Sequence, residues 1–336
     1  MTCTDCVITL DTVLTIGGLD GPGLHLITEL SRVAVDRRGR ILISDPRMAE
    51  ISVFDSAGTF LRTVGSRGEG PGEYETISYV GVGPRYIHIF EYHAGRTMLD
   101  HDFEVVRTNR FPGQIHIGVV MPNDDVVVAD YVPTPGTLGH KLHILNTAGQ
   151  IVSIGADGSV YPSQLNTWTS PKSIVVGSDD GLWVVRQSTN RLVRWDLSPK
   201  PRVDKMLQRR VPEFDKGSPS ETRFPRSWVS GAMLDDRGLW ILWHSPDPDW
   251  KERVSPGEAR MPAPDDEVYD GWLDLVDPAT GRTLARHHQD DAIRGGFAEG
   301  SSNLVVYHEN EAGVPFLRFL KPRLSRRLPD GKNGDP

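Results

Sequence analysis

The sequence predicts an all-β protein, a six-bladed β-propeller with four antiparallel strands in each blade. Two observations lead to this fold class. Short runs rich in Val, Ile, Leu and Trp are separated by Gly, Asp, Asn and Pro, which is typical of strands joined by turns. A unit of two hairpins also recurs every ~40–65 residues, a spacing that is typical of propeller blades and not of a sandwich.

The first hairpin of each unit joins two apolar strands through a polar turn. Two of these turns have the spacing Asp-x-x-Gly, from Asp36 to Gly39 and from Asp235 to Gly238. This spacing is typical of a type I turn followed by a glycine in the left-handed region. We interpret the hairpins as the two inner strands of each blade, at residues 33–45, 78–92, 116–131, 173–187, 231–244 and 296–309.

A second hairpin follows each of the first five and supplies the two outer strands. The clearest copies are residues 51–65 and 142–155, and weaker copies lie at 97–111, 192–207 and 273–287. The sixth unit ends after three strands. The N-terminal residues 10–18 match the outer strand at 60–65, and Gly-Pro-Gly follows soon after both. We therefore expect the N-terminal strand to be the outer strand of blade 6, paired with residues 314–320, because this closes the ring and removes open sheet edges.

Composition and termini limit the function classes. The net charge of −8 argues against a dedicated nucleic-acid-binding protein. No stretch approaches the ~18 consecutive apolar residues that a transmembrane helix needs. We expect a short N-terminal extension with a cysteine pair (1–6), a single propeller (7–325) and a polar, disordered tail (326–336).

The two cysteines, Cys3 and Cys6, leave two alternatives open, a local disulfide and two free thiols. The first residues lack the basic and apolar regions of a signal peptide. We expect an exported protein, periplasmic, lipoprotein or secreted, whose leader is absent from this sequence. A cytoplasmic location stays open.

The run at residues 60–74, Phe-Leu-Arg-Thr-Val-Gly-Ser-Arg-Gly-Glu-Gly-Pro-Gly-Glu-Tyr, carries a family resemblance. Together with the repeated four-strand pattern it resembles the bacterial six-bladed β-propeller proteins related to NHL repeats. The resemblance covers roughly residues 7–325 and implies the fold and export, but no activity. The glycine-rich part of the run precedes a strand-like segment, so we interpret it as a blade connection and not as a phosphate-binding loop.

One face of a propeller gathers the starts of the inner strands, the ends of the second strands and the connections between blades. We call it the loop-rich face, because the long insertions at 133–139, 156–171, 211–227 and 245–270 fall mostly there. Its mixture of carboxylates, histidines, arginine and aromatics favours a ligand site at the channel mouth. The candidate ligand-binding residues are Asp45, Glu91, Tyr92, His93, Asp130, Tyr131, Arg186, Trp243, His244, Trp250, His308 and Glu309.

We therefore expect a monomeric binding propeller that takes a small molecule, a peptide or a protein at the loop-rich face. An enzyme of the six-bladed lactonase or lyase kind is the alternative, with Ca²⁺ in the central channel. Carboxylate oxygens suit this cation, and the candidate ligands are Asp45, Glu91, Asp130 and Glu309. No cofactor other than Ca²⁺ is indicated. The insertion at 245–270 is predicted to form a flap over the channel mouth, with Trp250 directed inward.

Overall fold

The computed structural model describes most of the chain. The described residues are 6–18, 27, 32–91, 95–110, 115, 118–128, 142–154, 173–178, 181–198, 200–215, 226–250 and 268–326. The predicted N-terminal extension and C-terminal tail fall almost wholly outside these ranges.

Within these ranges the chain forms β-strands joined by tight turns, with one short helix. The strands of the first half are β1 (Cys6–Gly17), β2 (Arg32–Val35), β3 (Ile41–Asp45), β4 (Glu50–Phe54), β5 (Phe60–Val64), β6 (Ile77–Val82), β7 (Ile87–Glu91), β8 (Gly95–Leu99), β9 (Val105–Arg110), β10 (Gly118–Val120), β11 (Val126–Val128), β12 (Leu142–Leu145) and β13 (Ile151–Ile154). The elements of the second half are β14 (Ser173–Ser178), β15 (Gly181–Arg186), β16 (Arg191–Asp196), β17 (Arg202–Gln208), α1 (Pro212–Asp215), β18 (Trp228–Asp235), β19 (Gly238–Pro246), β20 (Tyr269–Val276), β21 (Thr283–Gln289), β22 (Gly295–Phe297), β23 (Leu304–Glu309) and β24 (Pro315–Arg326).

The strands are arranged as six four-stranded antiparallel blades, which confirms the predicted fold class. Blades 1 to 4 are β2–β5, β6–β9, β10–β13 and β14–β17, each in sequential order. Blade 5 is β18–β21, and blade 6 is β22-β23-β24-β1. The innermost strands contact each other in succession from β2 to β22. They therefore surround a central channel, as in other propellers.

The N-terminal strand closes the ring. β1 pairs antiparallel with β24 from Gly17 opposite Phe316 to Cys6 opposite Arg326. The predicted pairing with residues 314–320 is thus confirmed, and it continues further. The start of β1 also pairs in parallel with β21, Cys6 opposite Ala285, so blades 5 and 6 form one eight-stranded sheet. The sequence analysis did not foresee this second pairing.

Apolar side chains fill the interfaces between blades. Leu42 and Ile51 of blade 1 pack with Ile89 of blade 2 in one such cluster. The interface of blades 4 and 5 contains Trp183 and Trp243, which are almost fully buried. Alternate residues of each strand face the two neighbouring blades, because side chains alternate across a β-sheet. Each blade therefore has an apolar surface on both sides.

The interface of blades 4 and 5 also contains a buried ion network. The carboxylate of Asp274 accepts hydrogen bonds from Arg209 at 2.5 Å, from Arg286 at 2.6 Å and from the Trp243 indole N–H at 3.1 Å. Asp274 and Arg209 are almost fully buried. Such a network stays stable only while each charge keeps its partners.

Cys6, at the start of β1, is disulfide-bonded, and Cys3 is the only other cysteine in the sequence. Cys3 lies outside the described residues. No helix in the described part of the chain is long and apolar enough to cross a bilayer.

Candidate functional site

The turn that follows β22 lies against the innermost strand of blade 1, near the face opposite to the loop-rich face. The backbone N–H of Glu299 donates to the carbonyl of Val33 at 3.0 Å, and the N–H of Val35 donates to the carbonyl of Glu299 at 2.7 Å. Blade 6 is therefore bonded to the channel-facing edge of β2 in blade 1. Gly300 makes this approach possible, since its φ is +74° and a β-carbon there would overlap the carbonyl oxygen of Val35.

The side chain of Glu299 reaches two further blades. Its Oε2 accepts a hydrogen bond from the hydroxyl of Tyr79 at 2.5 Å, and its Oε1 accepts one from the N–H of Val120 at 3.4 Å. The N–H of Val82 also donates to this carboxylate. Val82 and Val120 are the last residues of β6 and β10, so Glu299 connects blade 6 with blades 2 and 3. We call Glu299 and Tyr79 the channel floor.

Burial sets the protonation of the channel floor. It raises the pKa of Glu299 to about 7, against the opposing effect of the hydrogen bonds that the carboxylate accepts. Burial, followed by the negative charge of Glu299, raises the pKa of Tyr79 well above its usual value. A carboxyl group that titrates near neutral pH therefore lies at the base of the channel.

Arg32 is the first residue of β2. It therefore lies at the end of this strand that is nearer the loop-rich face. It is exposed to solvent, yet the surrounding protein desolvates its guanidinium and lowers its pKa, an effect that the nearby Tyr79 phenol opposes. Its position at the start of an innermost strand, near enough to Tyr79 for the phenol to act on its pKa, places Arg32 beside the channel. Within the described residues the guanidinium has no carboxylate partner and no hydrogen bond, while the backbone of Arg32 bonds the hydroxyl of Ser44.

Aromatic side chains from blade 5 line the loop-rich face beside the channel. Trp228 begins the innermost strand β18 and remains partly exposed. Its ring stacks on His244 at 4.5 Å and meets the edge of Tyr269 at 4.4 Å. Trp250, at the start of the long insertion, packs against the same small cluster as Trp228 and Tyr269. We call these four residues the aromatic wall.

His244 is held neutral in this wall. Burial lowers its pKa to about 4, although a ring nitrogen lies 3.1 Å from the carbonyl oxygen of Ile293. The predicted flap at 245–270 is mostly outside the described residues. Its first part places Trp250 against the cluster that contains Tyr269, while the predicted cover over the channel mouth stays a prediction.

A histidine–carboxylate pair lies further out on the same blade. His288 Nε2 is 3.5 Å from Asp270 Oδ2, and its ring is 4.0 Å from the ring of Trp272. Burial raises the pKa of Asp270, with smaller contributions in the same direction from Asp247 and Asp290, and His288 opposes them. This pair comes from the outer strands of the blade, so it lies away from the channel.

The predicted calcium ligands engage in local hydrogen bonds. Asp45 accepts from the backbone N–H groups two and three residues later, and Glu91 accepts from the N–H of Glu75 at 2.9 Å. Glu309 accepts from a tyrosine hydroxyl two residues earlier at 2.6 Å. Asp130 lies outside the described residues. Among the residues that are described, no three His, Cys, Asp or Glu side chains converge as a metal site.

The remaining candidate ligand-binding residues divide between the mouth and the interior. His244 and Trp250 come together in the aromatic wall. Trp243 and Arg186 are buried at the ends of second strands, and His308 stacks on Phe316 at 5.4 Å in blade 6. Tyr92, His93 and Tyr131 lie outside the described residues.

Sequence reasoning missed four residues of the channel and its mouth: Arg32, Tyr79, Trp228 and Glu299. Arg32 and Trp228 are each the first residue of an inner strand. Selecting the first residue of every inner strand would have found both. Glu299 has no such signal. It looks like an ordinary turn residue until the ring brings its turn against β2.

Comparisons with known proteins agree with this architecture. Residues 20–122 match the model of the family DUF5128, described as a 6-bladed beta-propeller. No curated protein sequence matches the chain. The resemblance to the bacterial six-bladed β-propellers is confirmed. The match covers blades 1 and 2 and the start of blade 3, so it supports the fold and gives no activity.

Solved structures show the same fold over nearly the whole propeller. A Bacteroides vulgatus member of the DUF4221 family aligns with a TM-score of 0.63 and 9% identity, covering 95% of this chain and 99% of that one. A Bacteroides fragilis protein described as exported aligns with a TM-score of 0.59 and 14% identity, covering 94% and 96%. Virginiamycin B lyase from Staphylococcus aureus aligns with a TM-score of 0.51 and 12% identity, covering 94% and 99%. At these identities the likeness concerns the fold alone.

Proposed function

We propose that the protein is an exported, monomeric binding propeller whose ligand docks at the loop-rich face, against the aromatic wall and at the mouth of the central channel. The observation that carries the proposal is the partly exposed Trp228 at the start of an innermost strand, held by His244 and Tyr269. Rigid aromatic rings with one free surface provide large contact area at low entropic cost. Glu299 and Tyr79 are bonded to each other near the opposite face, which supports the loop-rich face as the entrance.

Two observations support the location and the oligomeric state in this proposal. Cys6 is disulfide-bonded, and disulfides persist in oxidising compartments outside the cytoplasm. A structural neighbour is described as exported. The ring closes through β1 and β24 of one chain, so a complete propeller needs no second copy. A relationship to NHL repeats is part of the same proposal, on the motif at residues 60–74.

Neutral planar probes test the binding site. Protein labelled with 5-fluorotryptophan is titrated with indole and benzamide and followed by ¹⁹F NMR. We expect the signals of Trp228 and Trp250 to shift, while those of Trp183 and Trp240, buried between blades, stay in place. Trp228→Ala should abolish the response of Trp250. Tyr86→Ala, which removes a partly exposed ring near the opposite face, should preserve it. Shifts confined to other tryptophans, or no shift at all, would contradict the site.

A lyase-type activity is the second candidate, and the Asp270–His288 pair is the observation that favours it. A carboxylate beside an imidazole orients the ring and supports its use as a base. The resemblance to propeller lyases is one of fold. His288→Asn should abolish any turnover without changing the binding of the planar probes. Turnover that survives this substitution would exclude the pair as the base.

A further inference from the structure

We infer that the ligand carries an oxyanion group, a carboxylate or a phosphate, that enters the central channel and binds the guanidinium of Arg32. This inference rests on the proposed function, because it concerns the ligand that docks at the same mouth. It adds the chemical class of that ligand: a small molecule with a planar apolar part for the aromatic wall and one anionic group for the channel.

The first argument is the contrast between Arg32 and four other arginines that the protein surrounds. Arg96 is fully buried and donates to a neighbouring asparagine side chain and to a backbone carbonyl. Arg40 is paired with Asp36, and Arg209 is paired with Asp274. In Arg237 the guanidinium bonds the carboxylate of Asp235. Arg32 has no such partner among the described residues, although the surrounding protein desolvates its charge. An unpaired charge in such surroundings costs free energy that a bound anion would recover.

The second argument is access. Arg32 is exposed to solvent at the start of the innermost strand of blade 1, so a solute at the channel mouth can reach it. It lies at the end of β2 that is opposite Ser44 of β3, on the side of the loop-rich face. Glu299 pairs with Ala34, two residues further along this strand and roughly 7 Å away at the usual rise per residue. A ligand group that enters the mouth therefore meets Arg32 before it reaches Glu299.

The third argument concerns charge and geometry. The guanidinium is a planar fork of N–H donors that matches the two oxygens of a carboxylate or phosphate group. The protein carries a net charge of −8, so it has no general attraction for anions. Binding of an anion would therefore be due to the local site around Arg32 and not to the overall charge of the protein. Tyr79 is the acidic group that acts on the pKa of Arg32, and burial raises the pKa of its phenol, so at neutral pH it provides no counter-charge for the guanidinium.

The test compares matched probes on the whole protein. Benzoate and phenyl phosphate carry the oxyanion, while benzamide has a similar shape and no charge. Affinities are measured by isothermal titration calorimetry at constant ionic strength. We expect the anionic probes to bind at least about tenfold more tightly than benzamide, as charge-assisted hydrogen bonds imply. Arg32→Gln should remove this preference, and Arg32→Lys should retain part of it.

Arg37→Gln is the matched control. Arg37 is an exposed arginine in the turn after β2, at the opposite end of that strand, so its substitution should leave the preference unchanged. Circular dichroism and thermal unfolding verify that each variant is folded. If Arg32→Gln unfolds the protein, the inference is judged from two other results. These are the preference of the wild type for the anionic probes and its partial loss in Arg32→Lys.

The outcomes separate this inference from the proposed function. Equal affinity for benzoate and benzamide, with both weakened by Trp228→Ala, overturns the inference and leaves the binding site in place. A preference for anions that survives Arg32→Gln also overturns it. An anion preference that is lost in Arg32→Gln but unchanged in Trp228→Ala supports the inference and contradicts the aromatic wall. Absence of binding by all three probes contradicts both.

Discussion

Tyr79 donates a hydrogen bond of 2.5 Å to Glu299 across the central channel, although 220 positions separate the two residues in the sequence. The bond joins the innermost strand of blade 2 to the turn that follows the innermost strand of blade 6. The same glutamate is bonded through its backbone to blade 1 and through its second oxygen to blade 3. One residue therefore connects four of the six blades around the axis.

Glu299→Gln should change how stability depends on pH. Burial raises the pKa of Glu299 from its ordinary 4.5 to about 7. Its contribution to stability is therefore fully present below pH 4.5 and is lost as the pH rises through 7. Gln keeps an acceptor for Val120 and an amide group that can donate to Tyr79. We expect the variant to gain ~1–3 kcal/mol relative to the wild type between pH 4.5 and pH 8.

Urea unfolding at pH 4.5, 6 and 8 measures this difference. Glu311→Gln, in the exposed turn before β24, is the matched control and should follow the wild type at each pH. Two buried histidines act in the opposite direction in both proteins. Burial lowers the pKa of His88 and of His244 to about 4, so their contribution is lost as the pH falls from 6.5 to 4. Parallel curves for Glu299→Gln and the wild type would refute the assigned protonation.

Gly300→Ala should destabilise the channel floor more than a comparable glycine substitution elsewhere. Gly300 and Gly313 have nearly the same backbone conformation, with φ of +74° and +73°. A β-carbon at Gly300 would overlap the carbonyl of Val35, whereas nothing lies within 4 Å of one at Gly313. Both substitutions introduce strain of about 1 kcal/mol from the left-handed backbone. Only Gly300→Ala should also weaken the backbone hydrogen bonds between this turn and β2, which further lowers the stability.

Thermal and urea unfolding of the two alanine variants separate strain from overlap. We expect Gly300→Ala to lose at least ~1 kcal/mol more than Gly313→Ala. Equal losses would show that the turn after β22 does not depend on its contact with blade 1.

Asp274→Asn should be among the most destabilising single substitutions in the protein. It removes the carboxylate that Arg209 and Arg286 share, and Arg209 is left as a buried charge without a carboxylate. Breaking a buried pair in this way costs ~3–5 kcal/mol. The control is Asp204→Asn, which removes the partner of Arg194 on the outer strands of blade 4, where the aspartate is exposed. That exposed pair should contribute ~1 kcal/mol or less.

Chemical denaturation at pH 7 compares the two asparagine variants. A loss at Asp274 no larger than the loss at Asp204 would show that the network between blades 4 and 5 is not needed for stability.

Addition of calcium tests whether the four predicted calcium ligands bind this cation. If Asp45, Glu91, Asp130 and Glu309 bind Ca²⁺, millimolar Ca²⁺ should raise the melting temperature by mass action, and EDTA should lower it. The local hydrogen bonds of Asp45, Glu91 and Glu309 lead us to expect no change. A rise of several degrees that Mg²⁺ does not reproduce would favour the alternative, a calcium-dependent enzyme, over the binding propeller.

Much of the fold was predictable because it depends on local features of the sequence. Strand alternation and the Asp-x-x-Gly turns identify the hairpins, and both can be read within about fifteen residues. The match of residues 10–18 to 60–65 predicts ring closure, since a strand without a hairpin partner must pair elsewhere. The parallel pairing of Cys6 with Ala285 was not predictable, because it depends on how the outer strands of blades 5 and 6 approach each other in the closed ring.

The candidate site was less predictable than the fold. His244 was selected because it lies at the end of a second strand, and Trp250 because it lies in the insertion that follows. The structure places both in the aromatic wall around Trp228 and Tyr269. Trp243 was also selected because it lies at the end of this second strand. It is buried between blades, since adjacent residues of a strand face opposite sides. The rule identifies the correct end of the blade, while the direction of each side chain depends on the register and on neighbouring blades.

The sequence by itself determined the number of blades, their four-stranded form and the closing strand, because these depend on patterns that repeat along the chain. Tertiary structure alone decided that Glu299 reaches Tyr79, that Arg32 has no carboxylate partner among the described residues, and that Trp228 stacks on His244. The physical reason is that the channel is built from six inner strands that are far apart in the sequence. The chemistry at the axis exists only after the ring has closed and brought those strands together.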